Sequence, residues 1–201
     1  MTAQDDDRHN EKMKKKKAVR DKIISGKTVE KGLIIVHTGK GKGKSTAAMG
    51  MVCRAIGHNM KVGIIQFIKG AWATGEKQVF DAFPHLVTMQ AMGEGFTWET
   101  QDKARDIAAA MKAWEAAKAM ILDPEIRLVV CDEINVALRY DYIPLADVLE
   151  TLAARPENSH VVLTGRNAAE ELIEAADLVT EMTLLKHPFR SGVKAQAGIE
   201  F

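Results

Sequence analysis

Aromatic residues are scarce in this 201-residue chain: six Phe, three Trp and two Tyr make up 5% of it. Any local pair of them therefore asks for a reason. Cysteine is scarcer still, with only Cys53 and Cys131, both in apolar surroundings. Two cysteines cannot build a disulfide framework, and the plain expectation is a reduced cytoplasmic protein with two buried thiols. Net charge is nearly absent, at +1, so overall charge gives no argument for nucleic acid or a membrane surface as partner. Aromatics are not interleaved with basic residues, which argues against a single-strand nucleic-acid platform. No apolar run is long enough to span a bilayer, and the charged N-terminus lacks the apolar core of a signal peptide. The histidines show no metal-ligand spacing. No Gly-x-Ser-x-Gly elbow and no cysteine-nucleophile context is present.

What the chain does have is Thr38-Gly-Lys-Gly-Lys-Gly-Lys-Ser-Thr46, after the apolar run Leu33–Val36 and before a segment with helical spacing. Strand, glycine-rich turn, Lys-Ser and helix form the plan of a phosphate-binding P-loop. Gly39, Gly41 and Gly43 let the backbone curl until its N–H groups converge on an anion. The following helix adds its N-terminal dipole. Lys44 would reach phosphate oxygens, the Ser45 hydroxyl would ligate Mg²⁺, and Thr46 completes the loop. The spacing is short by one residue: Gly39 and Gly43 enclose three residues where four are usual, and Thr38 stands where the first glycine belongs. A degenerate loop with ordinary chemistry and a shortened loop that holds the nucleotide differently both fit. A lysine-rich surface turn is the bland alternative.

Residues 1–31 differ from the rest, with Asp5–Asp7 followed by the basic run Lys14–Lys17, Arg20 and Lys22. Composition favours a flexible, solvated arm. The spacing of Met13, Ala18 or Val19, and Ile23 also fits a narrow helical stripe that would order against a partner or ligand. The domain proper is expected over residues 32–201. Strands are expected at Leu33–His37, Val62–Phe67, Leu86–Gln90, Arg127–Cys131, His160–Thr164 and Leu178–Leu184. Helices are expected at Lys44–Gly57, Gln78–Phe83, Gln101–Leu122 with Thr100 as N-cap, Pro144–Ala154 and Ala168–Ala176. This alternation predicts a single α/β domain of the P-loop NTPase-like class, a mostly parallel sheet with helices on both faces. Ligands of such sheets bind beyond the carboxyl ends of the strands. That rule gathers the P-loop, the loop after Phe67, Gly93–Glu99, Asp132-Glu133 and Thr164–Arg166 at one rim.

Leu128-Val-Val-Cys-Asp132-Glu133 is an apolar strand running into two carboxylates. Beside a P-loop, Asp132 or Glu133 would ligate Mg²⁺ opposite Ser45. Lys40 and Lys42 would neutralise a triphosphate or stay solvated. Arg54 would turn toward the nucleotide or form a structural ion pair. Arg166, just past a strand end, suits a phosphate or ribose contact. Phe96 and Trp98 sit two apart in a glycine-flanked loop, so an extended backbone turns both rings the same way. They would meet a second substrate with a large apolar face, or pin the loop to the core.

Together, the shortened loop, Gln66-Phe-Ile-Lys-Gly70, Gly95-Phe-Thr-Trp-Glu-Thr100, Asp132-Glu133, Thr164-Gly-Arg166 and Lys194-Ala-Gln-Ala-Gly-Ile199 resemble the P-loop ATP:corrinoid adenosyltransferases. The resemblance covers about residues 32–201. Family members often have Asn and Thr where this chain has Lys40 and Ser45. The resemblance implies transfer of the 5′-deoxyadenosyl group of ATP to the Co(I) of a corrinoid, with release of triphosphate. The corrinoid would be cobalamin or a cobinamide or cobyrinic acid derivative. It further implies Mg²⁺, a reduced flavoprotein as electron donor, a homodimer, and ATP bound in reversed orientation along the loop. Phe96 and Trp98 would keep axial ligands from cobalt, while Lys42, Lys44, Ser45 and Glu133 would stabilise the departing triphosphate. A P-loop kinase or ATPase, and a nucleotide-gated binding protein, are the competing readings of the same motifs.

Overall fold

The computed structural model describes residues 3–68, 74–92 and 102–200. It divides into two compact units, residues 1–31 and 32–201. The first unit is helix α1, Ala3–Ser25. Its composition suggests an unstructured tail, yet Lys, Arg, Glu and Ala are also strong helix formers. Asp6 and Asp7 near its start and Lys22 in its last turn complement the helix dipole. At 23 residues it is also long enough for propagation to outweigh the cost of nucleation.

The second unit is built on six parallel strands: β1 Ile34–Thr38, β2 Val62–Gln66, β3 Val87–Ala91, β4 Leu128–Asp132, β5 His160–Thr164 and β6 Leu178–Glu181. Their order across the sheet is β3-β2-β4-β5-β1-β6. Between them lie α2 Lys44–Gly57, α3 Gly75–Phe80, α4 Lys103–Leu122, α5 Ile134–Arg139, α6 Leu145–Ala154 and α7 Glu170–Ala175. A 3₁₀ turn follows at Pro188–Ser191. This is the expected P-loop NTPase-like fold, a parallel sheet with helices on both faces.

Strand side chains alternate between two cores, as the pleat requires. Ile34, Val36, Val129, Cys131, Val161 and Leu163 pack with Trp114, Ala117 and Ile121 of α4. Their immediate neighbours Ile35, Leu128, Val130 and Val162 pack on the other face, with Ala48, Met49, Val52 and Ala55 of α2. Continuous apolar strands thus serve two helix layers. Trp114 is fully buried, and its ring N–H donates to Asp147 of α6 at 2.6 Å. Truncating so large a buried ring costs about 3–5 kcal/mol.

Boundaries differ from expectation in instructive ways. β4 runs one residue further, so Asp132 is strand rather than loop. The N-cap of α4 is Asp102, whose carboxylate accepts from the Arg105 N–H at 3.1 Å. The helix expected at 78–83 is α3, three residues earlier. α5 is an unforeseen short helix. β6 stops at Glu181, and the Met182 carbonyl after it accepts from the Gly41 N–H of the P-loop. Cys131 is buried, and burial pushes its thiol up to about 12, with the Asp132 charge adding to the effect. Cys53 is exposed, contrary to the two buried thiols expected. It follows Val52 on α2, and a step of about 100° rotates it off the packed face.

Candidate functional site

The carboxyl ends of β1, β4 and β5 carry the site. Gly43 caps α2 in a left-handed conformation (φ 103°), with no side chain satisfying the first-turn N–H groups. Uncapped donors and the positive end of the helix dipole at one place are what an anion site requires. Lys44 folds back over the loop and donates to the carbonyls of Gly39 at 3.0 Å and Gly41 at 2.5 Å. It is 6% exposed. Burial holds its pKa below the ordinary lysine value. Glu133 opposes that shift, Arg166 and Lys42 add to it, and Asp132 opposes it weakly. These five charges therefore share one field.

The loop is stitched to the chain after β6. The Gly41 N–H donates to the Met182 carbonyl at 2.6 Å, and the Met182 N–H donates to Thr38 at 2.9 Å. A side chain at Gly41 would place its Cβ 2.7 Å from the Met182 oxygen. Thus one amide that a standard cradle aims at phosphate is spent on protein. Lys42 reaches the tail, where its Nζ meets the Glu200 carboxylate at 2.7 Å. Lys40 is exposed in the turn, while Ser45 is half-buried and Thr46 exposed in the first turn of α2. His37 lies beneath, its Nδ1 3.3 Å from the Lys44 carbonyl.

Across from the loop, the Asp132 carboxylate is fully buried. One oxygen accepts from the Thr164 hydroxyl at 2.8 Å, the other from the Gln66 amide at 3.1 Å. The Thr164 hydroxyl in turn accepts the Glu133 N–H at 2.9 Å. Glu133 is half-buried and left-handed (φ 64°). That conformation costs a non-glycine residue about 1–2 kcal/mol and turns the chain from β4 into α5 in one step. Gly165 is also at positive φ (130°), pressed against Asn135. The Asn135 amide donates to the Gly165 carbonyl at 3.2 Å, which fixes the exposed Arg166 next in sequence.

The structure thus brings together the loop 39–46, Asp132, Glu133 and Arg166. It does not bring Arg54 there. Arg54 is exposed in the last turn of α2, ten residues or about 15 Å of helix beyond Lys44. Phe96 and Trp98 lie outside the described residues. In the sequence Gln66 and Thr164 have places in motifs but no role, and Glu200 has neither. Gln66 did leave a signal, being the one polar residue in the apolar run of β2.

Residues 30–201 match the family described as ATP:corrinoid adenosyltransferase BtuR/CobO/CobP. Residues 1–24 match a separate family segment described as cob(I)alamin adenosyltransferase N terminal, although the resemblance read from the residues begins only near residue 32. A corrinoid adenosyltransferase from Sinorhizobium sp is 61% identical over 199 residues, covering 98% of this chain and 93% of that protein. One from Pseudomonas aeruginosa is 56% identical, covering 98% and 97%. The corrinoid adenosyltransferase CobA of Salmonella typhimurium is 44% identical, covering 98% and 99%.

Proposed function

This chain belongs to the ATP:corrinoid adenosyltransferase family, and from that premise we propose how its residues divide the work. The enzyme transfers the adenosyl group of ATP to a corrinoid in cobalamin biosynthesis. Co(I) attacks the ribose 5′ carbon with its own electron pair. A Co–C bond forms, the C5′–O bond breaks, and triphosphate departs with that pair. No proton moves, so no general base is needed.

The observation that carries this reading is the shared field of Lys44, Lys42, Arg166 and Glu133 around a loop closed on Met182. Catalysis then rests on neutralising a whole triphosphate as it leaves. The free amides of the α2 terminus, Lys44 and Arg166 bind its oxygens, and Lys42 joins them once it exchanges Glu200 for phosphate. Gly39, Lys40, Gly41 and Gly43 shape the turn, and Thr46 stands in the first turn of α2. Arg54 takes no part within this subunit.

A Mg²⁺ ion suits the donors present, since the Ser45 hydroxyl and the Glu133 carboxylate are hard oxygen ligands at the same rim. When bound there it would draw charge from the triphosphate oxygens. Asp132 is assigned to supporting Glu133, because both its oxygens already accept hydrogen bonds. Phe96 and Trp98 are assigned to the corrinoid face, where apolar rings leave no donor atom beside cobalt and ease reduction of Co(II). A reduced flavoprotein supplies the electron, a homodimer is the working form, and the cytoplasm is the compartment.

The test replaces Phe96 and Trp98 by alanine and follows the absorbance change on Co–C bond formation. With Co(II) and a mild reductant, turnover should fall at least tenfold further than with chemically reduced Co(I), an order of magnitude corresponding to about 1.4 kcal/mol of barrier. Equal losses in both assays would remove the ligand-exclusion role.

A further inference from the structure

Strands β2 and β5 each end in a buried polar side chain, Gln66 at 3% exposure and Thr164 at 0%. Both side chains point their donors at the same carboxylate. We propose that Gln66 and Thr164 are positioning residues that hold Glu133 toward the P-loop through Asp132. The proposal rests on the reading that Glu133 meets the ATP-bound Mg²⁺.

The bonds form one directed chain. The Gln66 Nε2 donates to one Asp132 oxygen at 3.1 Å, and the Thr164 hydroxyl donates to the other at 2.8 Å. With its hydrogen committed, that hydroxyl presents a lone pair to the Glu133 N–H at 2.9 Å. Sheet register makes the meeting possible, since Gln66 pairs with Asp132 across β2 and β4. Cys131 pairs with Leu163 across β4 and β5, which brings Thr164 alongside Asp132. Glu133 is the only residue between the end of β4 and the start of α5, and it is left-handed. The direction in which its side chain leaves the backbone is therefore set by that single turn. The Thr164 hydroxyl is the acceptor of its N–H, so losing the hydroxyl frees the turn to relax. Support of this kind is commonly worth 10–100-fold in metal affinity.

The geometry gives Thr164 a role that a buried methyl could not fill, and gives Gln66 a role that a β-strand apolar residue could not. It also divides the two carboxylates, with Asp132 accepting from the protein and Glu133 serving the ligand. Gly165 adds to the same construction, because a side chain there would place its Cβ 3.3 Å from a Glu133 carboxylate oxygen.

The test measures ATP binding to the full chain by calorimetry, without corrinoid, in the presence and absence of Mg²⁺. The readout is the ratio of the two dissociation constants. Thr164→Val should shrink the Mg²⁺-dependent gain about tenfold, with Mg²⁺-free ATP affinity within about twofold of the parent. Thr164→Ser, which keeps the hydroxyl, should restore the ratio. Gln66→Met removes the second donor by an independent change and should lower the ratio in the same direction. In a Glu133→Gln background, Thr164→Val should add nothing. A parental ratio in whichever of Thr164→Val and Gln66→Met retains Mg²⁺-free ATP binding would overturn the proposal, provided Glu133→Gln lowers the ratio. An unchanged ratio in Glu133→Gln itself would overturn the underlying assignment of Glu133, and this proposal with it.

Discussion

Gly41→Ala is the sharpest probe of the short loop. The added Cβ would stand 2.7 Å from the Met182 oxygen, 2.8 Å from its carbonyl carbon and 2.8 Å from the Thr183 oxygen. All three are backbone atoms, so no side-chain rotation relieves the overlap. Loop and tail must part by roughly half an ångström, a displacement that strains or breaks the 2.6 Å hydrogen bond from the Gly41 N–H to Met182. Overpacking of this kind costs about 1–3 kcal/mol, and the lost bond about 1 kcal/mol more. A net loss near 3 kcal/mol lowers the melting midpoint by about 6–12 °C for a domain of this size. The same movement turns the Gly41 and Gly39 carbonyls away from Lys44, so ATP affinity should fall by about tenfold, or 1.4 kcal/mol. Gly50→Ala is the control. It lies within α2 with nothing inside 4 Å of its added Cβ. Helix propensity should make that variant more stable by roughly 0.5–1 kcal/mol. Calorimetric ATP titration and thermal melts read both effects. A Gly41→Ala protein with parental ATP affinity and parental melting would refute the claim that the loop is closed on Met182.

The charged groups lead to two further expectations. Glu200 is held below its usual range by its hydrogen bond to Lys42, so in the proposed reaction the tail carboxylate competes with phosphate for that lysine. Glu200→Gln should tighten ATP binding at low salt by less than about fivefold, the scale of an exposed ion pair, with the gain fading as salt rises; weaker binding in that variant would reverse the assignment. His160 accepts the Leu33 N–H on Nδ1 at 3.1 Å, and burial, then Arg127 and Arg155, hold its pKa below 6.5. A depressed folded pKa means that the unfolded chain takes up the proton first. Its contribution is thus complete above the unfolded value and is lost as pH falls through the folded one. Melting midpoints should drop between pH 7 and pH 5.5 in the parent and much less in His160→Gln, and equal slopes would point to another group.

The sheet was legible in the sequence because its strands are short apolar runs bounded by glycine and polar residues, and because helical spacing fills the gaps between them. The P-loop and Asp132-Glu133 were legible for a different reason: their chemistry requires particular residue types at particular strand ends. What escaped was set by tertiary geometry. α5 is only six residues long, too short for a periodic signal, and the left-handed turn at Glu133 carries no glycine to announce it. Cys53 lies in an apolar stretch, but neighbours in sequence occupy different faces of a helix, so the stretch did not bury it. Arg54 sits on the helix that follows the loop, and only the length of α2 shows how far that helix carries it. The partnership of Lys42 with Glu200 spans 158 positions, a distance over which a single sequence is silent. In α1 propensity and composition pointed opposite ways, and propensity decided the conformation.

In the proposed reaction the short loop holds the triphosphate as one leaving unit rather than offering its terminal phosphate for transfer. Phosphorus NMR of a single turnover, with ATP, Mg²⁺ and chemically reduced corrinoid, tests it most directly. Intact tripolyphosphate, formed in step with the Co–C absorbance change, is the predicted product. Orthophosphate with ADP as the first products would rule out that role for the loop.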